Sequence, residues 1–131
     1  MGVLLCSDLT NLGNRSYFQG AVDALFVLEW NPDIGTFSFL IEATAHDVHA
    51  FVVQINNRIY GDSRIRAPYR DDHKRDLVRV KGGASDYYVL SAIEHVRLRA
   101  FQRDGFITGD EYFKPLPIGF EMSQQRKDAD N

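Results

Sequence analysis

Between Arg58 and Lys81 the chain carries Arg58, Arg64, Arg66, Arg70, Lys74, Arg75, Arg79 and Lys81, with Tyr60 and Tyr69 among them. Cations at this density suit the oxygens of an anion, and the aromatic faces suit stacking on a base. The distribution of charge sharpens the point. Residues 1–57 sum to −5, residues 58–103 to +5 and residues 104–131 to −3, for a net charge of −3. An acidic chain whose positive charge is confined to one segment points to an anionic partner met by that segment. The sequence therefore assigns anion binding to Arg64, Arg66, Arg70, Lys74, Arg75, Arg79 and Lys81, and stacking to Tyr60 and Tyr69. Arg97, Arg99 and Arg103 can extend the patch. The opposing reading is as concrete. Asp62, Asp71, Asp72 and Asp76 interleave these cations and can neutralise them.

A second group of residues could do acid–base work. His46 and His49, with Asp47 between them, fall near a helix start and share a face. They are the catalytic candidates for a small hydrolase. Their spacing is not a zinc signature, which places two histidines at i and i+4, so no metal and no cofactor is expected. Asp104 to Glu111 matches the second half of a calcium loop, but Ala100 and Gln102 stand where its first carboxylates belong. A capping box of Thr108 and Glu111 explains the same residues. Cys6 is the one cysteine, so no intrachain disulfide forms. It reads as a nucleophile if a histidine comes near, or as a small apolar residue. Lys81-Gly82-Gly83-Ala84-Ser85 is a glycine-rich turn that could offer backbone amides to an anion.

These residues need elements to position them. At 131 residues, 44% hydrophobic and 25% charged, the chain has the composition of one globular domain. We expect that domain over 1–122 and a polar tail over 123–131. The first residues lack a signal-peptide pattern, no apolar run reaches membrane-spanning length, and a cytoplasmic location is expected. Alternation from Tyr17 to Trp30 reads as a long strand, Asn31 to Gly35 as a turn, and Phe37, Phe39, Ile41 and Ala43 as the returning strand of a β-hairpin. Val48, Phe51, Val52, Ile55 and Ile59 recur with helical period and predict a helix over 45–60. Leu77 to Lys81 reads as a short edge strand, and Val89, Ala92, Ile93, Val96 and Ala100 predict a second helix over 86–103.

The expected fold is α+β, an antiparallel sheet built on the hairpin 17–30 and 36–44, with both helices on one face. The other face carries Tyr17, Ala21, Leu25, Val27 and Leu40, too apolar for water, which points to a homodimer or a pocket. Function follows as a non-enzymatic, homodimeric binding or accessory module for an anionic partner such as nucleic acid or an acidic ligand. The alternatives are a small-ligand protein with an aromatic pocket of Phe18, Phe26, Trp30, Phe37, Phe39 and Phe51, or the hydrolase using His46, Asp47 and His49.

Overall fold

Short apolar runs build the sheet, and the computed structural model describes residues 1–129, leaving aside the side chains of 105–108. The strands are β1 (Gly2–Leu5), β2 (Ala24–Glu29), β3 (Phe51–Asn56), β4 (Ser63–Arg66) and β5 (Asp76–Val80). The helices are α1 (Leu12–Ser16), α2 (Ile34–Thr44), α3 (His95–Thr108) and α4 (Gln124–Asp128). The strands form one sheet in the order β1-β2-β3-β4-β5. β1, β2 and β3 run parallel, and β4 and β5 add antiparallel. The fold is thus α+β with a mixed sheet, not an antiparallel sheet.

Three expectations change, each for a physical reason. The returning strand of the hairpin is α2. Asp33 caps it by accepting from the Thr36 amide at 3.2 Å, and Phe37, Ile41 and Thr44 bury one stripe. The alternating Phe37-Phe39-Ile41 pattern misleads because Phe39 points to solvent. The expected helix over 45–60 is a wide π-type turn (Ala45–His49) followed by β3. The stripe of Val48, Phe51, Val52, Ile55 and Ile59 mimics a helix because Phe51 and Val52 are buried on opposite faces of β3, which hides the alternation at its start. The second helix begins at His95 rather than 86. The edge strand near Leu77 to Lys81 is β5.

Alternation does place the core. Leu4, Leu25, Val27 and Val52 face Phe37, Ile41, Ala45 and Val48 on one side of the sheet. Ala24, Phe51 and Ala67 face Leu98, Phe101 and Phe113 on the other. Helices therefore cover both faces, not one, because two parallel βαβ-type crossovers need residues 6–23 and 30–50 as connections. The chain end is tied in. Arg126 of α4, 6% exposed, donates to the Gly20 carbonyl at 2.9 Å, to Asp23 and to Gln102. Gly20 has φ +69° there, and a Cβ on it would strike the Glu121 carbonyl. No helix among the described residues is long and apolar enough to cross a membrane.

Candidate functional site at the strand ends

In open sheets with parallel strands, ligands and reacting groups gather beyond the carboxyl ends of those strands. Here β1, β2 and β3 end side by side at Leu5, Glu29 and Asn56. Leu5 pairs with Leu28, and Glu29 with Asn56. The ladder between β1 and β2 ends at Leu5 and Leu28, one residue before Cys6 and Glu29. Cys6 leaves the strand with φ +38°, one of three non-glycine residues with positive φ among those described, the others being His49 and Asp62. A short 3₁₀ turn (Cys6–Thr10) follows at once. The Asp8 carboxylate accepts from the Leu5 amide at 3.2 Å and holds the turn. The sequence is thus strand, strained cysteine, helical turn. Left-handed backbone costs a residue with a Cβ about 1–2 kcal/mol, and such strain collects where a side chain must be presented.

The neighbours are polar and buried. Glu29 is the charged residue that closes the apolar run Ala-Leu-Phe-Val-Leu of β2. Its Oε2 accepts from Gln54 Nε2 at 2.9 Å. Gln54 Oε1 accepts from Arg64 Nε at 3.1 Å, and Arg64 Nη2 donates to the Ser38 carbonyl at 2.7 Å. Burial pushes the Glu29 carboxyl above the usual glutamate range, against the Gln54 hydrogen bond and the Arg64 charge, while Asp62 adds to the rise. Glu29 Oε1 and Asn31 Nδ2 are buried with no hydrogen-bond partner among the described residues. Native proteins rarely leave such groups unpaired, so each asks for an explanation. Asn56 locks the surrounding loops by donating to the Asn31 and Gly61 carbonyls, both at 2.9 Å.

The basic segment is brought together, but with acids. Arg64 and Arg66 lie inward on β4 and are buried. Arg66 meets Glu42 at 2.9 Å, Asp76 at 3.0 Å and Asp72 at 3.4 Å. Arg75 meets Asp72 at 2.8 Å and Glu42 at 3.2 Å. Arg79 meets Asp62 at 2.6 Å, Lys74 meets Asp71 at 2.6 Å, and Arg70 meets Glu111 at 3.2 Å. Among the described residues Lys81 alone of the seven anion-binding candidates carries no ion pair. Tyr69 is a core residue. Its ring packs on Phe51, Tyr112 and Phe113, its hydroxyl donates to Glu94 at 3.2 Å, and burial raises its pKa. Tyr60 is half-buried beside Lys81 in a small surface cleft.

The histidine candidates separate. His49 is fully buried, with the Nε2–H donating to the Lys114 carbonyl at 2.8 Å and Nδ1 accepting from Gln102 at 3.2 Å. Its ring stacks on Phe101. Burial pushes its pKa down to about 4, against the hydrogen bond to Lys114. His46 lines a narrow cleft with Arg66 and Arg75, and Asp47 is exposed. No group of three or more His, Cys, Asp or Glu side chains among the described residues is placed to hold a metal ion. The half calcium loop spans residues 105–108, whose side chains lie outside those described.

His49 carries a pH prediction. Its folded pKa lies below the unfolded value of 6.5, so the unfolded chain binds the proton first. Its stabilising contribution is whole above pH 6.5 and is lost as pH falls towards 4, by about 3 kcal/mol in all. Urea unfolding at pH 7 and pH 4 should show this loss, and His49→Gln should remove that part of it. An unchanged pH dependence in the variant would disprove the assignment.

The aromatic pocket of the sequence reading does not assemble. Phe37 belongs to one core cluster, Phe51 to the other, and Phe39 and Trp30 are exposed. The sequence reading passed over Glu29, although a lone carboxylate ending an apolar strand is a visible signal. Comparison with protein-family models, with curated proteins and with solved structures finds no match.

Proposed function

We propose that the chain performs thiol chemistry at Cys6, as an acyl-transfer or hydrolytic centre. The observation that carries this reading is the positive φ of Cys6 between a parallel strand and a helical turn. The same strand–nucleophile–turn arrangement exposes nucleophiles in other α/β enzymes. The unpaired Glu29 Oε1, at the end of the adjacent strand β2, supports the reading independently. In the proposed step the Cys6 sulfur bonds to an acyl carbon while its proton passes to Glu29. The leaving alcohol or amine takes that proton as its bond to carbon breaks. Water, deprotonated by the same carboxylate, then releases the acid and restores the thiol. A carboxyl raised by burial is nearer the working range of a general base than a solvated one.

Rapid mixing with p-nitrophenyl acetate tests this. A burst of about one equivalent of p-nitrophenol is expected, absent in Cys6→Ala. Glu29→Gln should slow it by about 10²–10⁴-fold, the usual range for one proton-transfer group. A burst that survives Cys6→Ala, or none at all, would refute the reading.

A homodimeric binding module is the second reading, favoured by one specific observation. Val3 is 56% exposed, Leu5 59%, Leu28 41% and Ile55 46%, all on one face of the sheet. Contiguous apolar surface of this kind marks an interaction site. Sedimentation should then show a dimer at micromolar concentration, and Leu28→Lys should dissociate it. A monomer at every concentration would exclude it. For an anionic partner, the best-placed cations are Lys81 and the half-exposed Arg58, whose one ion-pair partner among the described residues, Asp86, is highly exposed.

A further inference from the structure

The apolar face continues from β3 onto β4 and β5, away from Cys6. Val53 pairs with Ile65 and Ile65 with Val78, so the three side chains form one row across the strands. Val80 adds to the next row, opposite Ser63. α3 does not cover this part. Instead the irregular segment between β5 and α3 stands beside it and brings Tyr87 and Tyr88 to its edge. The space between is a cleft of about 500 Å³, within the usual range for small-molecule sites.

Its rim is positive. Lys81, which carries no ion pair among the described residues, lies at one end of β5. Arg58 stands beside it. Arg58 Nη1 donates to the Ala84 carbonyl at 2.9 Å and to Asp86 at 3.1 Å, and the Gly83 amide donates to the Arg58 carbonyl at 3.0 Å. These bonds tether the start of the aromatic segment to the sheet. Arg58 Nε and Nη2 have no partner among the described residues. Asp86, the acid at this rim, is highly exposed, so it screens the two cations weakly.

The geometry points to a binding site for a small amphipathic anion. A hydrocarbon or aromatic body would lie on Val53, Ile65, Val78 and Val80 under the tyrosines, and a carboxylate or sulfonate would face Arg58 and Lys81. A long-chain carboxylate fits both halves; a nucleic acid fits only the rim, and a second copy fits only the floor. This narrows the anionic partner of the second reading to a small ligand. It stands apart from Cys6, and it can fail while the dimer stands.

The test is displacement of 1-anilinonaphthalene-8-sulfonate, first by decanoate and then by decanol, which has the same chain and no charge. Decanoate should bind about tenfold more tightly than decanol, as expected for hydrogen bonds to a charged group. Arg58→Ala with Lys81→Ala should abolish that preference and leave decanol binding unchanged. Val78→Lys should weaken both ligands. Because Tyr88 is fully exposed, Tyr88→Ala offers a second variant that leaves the fold untouched, and it too should weaken both. Equal binding of decanoate and decanol, or dye binding indifferent to Val78→Lys and Tyr88→Ala, would overturn the site. So would sedimentation showing that a dimer expels the dye, since a second copy would then occupy the cleft.

Discussion

Cys6→Gly should be more stable than Cys6→Ala by about 1 kcal/mol, and both should lose all thiol chemistry. The order is the reverse of the usual one. At an ordinary position alanine outstabilises glycine by about 0.5–1 kcal/mol, because glycine loses more backbone freedom on folding. At φ +38° the alanine keeps the clash of its Cβ with the neighbouring carbonyl, and glycine relieves it. Both variants lose the thiol, so its packing against the apolar core cluster cancels in the comparison. Urea unfolding of the two proteins supplies the measurement. If alanine is the more stable, the strand end is not strained and the main support for Cys6 as a presented nucleophile is gone.

The other large effect lies at the opposite end of β2. Asp23 sits between two arginines, meeting Arg99 Nη2 at 2.6 Å and Arg126 Nη2 at 2.5 Å. Burial alone would raise its carboxyl pKa, but the hydrogen bonds and charges of Arg99 and Arg126 outweigh burial and hold it below the usual aspartate range. Asp23→Ala should cost about 3–5 kcal/mol, because it leaves Arg126 charged and buried. Asp23→Asn should cost less, since its amide oxygen still accepts a hydrogen bond. The stabilisation is present above the unfolded aspartate pKa and disappears as pH falls through the lower folded value. A loss under about 1 kcal/mol would mean that water reaches Arg126 and that α4 is not anchored as described.

How far the sequence discloses this arrangement depends on the local rule involved. β5 is readable because Leu77, Val78 and Val80 sit between a charged loop and Gly82-Gly83. β2 is readable in kind but not in length, because residues 17–23 alternate like a strand while following α1 as turns. α2 and β3 exchange identities. Phe37, Phe39 and Ile41 alternate by accident, and β3 begins with Phe51 and Val52 buried on opposite faces, which hides its alternation. What decides them is tertiary: β3 lies between β2 and β4, a position no local pattern reveals. The basic segment was legible as charge but not as pairing. Asp62, Asp71, Asp72 and Asp76 were visible in sequence, whereas Glu42, from α2, is brought to Arg66 and Arg75 by the fold. Cys6 was visible as a residue and silent as a conformation, since a positive φ at a cysteine leaves no mark in composition. Arg126 likewise reads as part of a polar end, and only its bonds to Gly20, Asp23 and Gln102 reveal its role.

As proposed, the atom that accepts the acyl group is the Cys6 sulfur. Native protein treated briefly with p-nitrophenyl acetate, quenched in acid and mapped by peptide mass spectrometry should carry a single acetyl group, on the Cys6 sulfur. In urea-unfolded protein Cys6 should acquire its acetyl group markedly more slowly than in the native protein. Acetylation spread over lysines in the native protein, with Cys6 untouched, would contradict the assignment of Cys6 as the nucleophile.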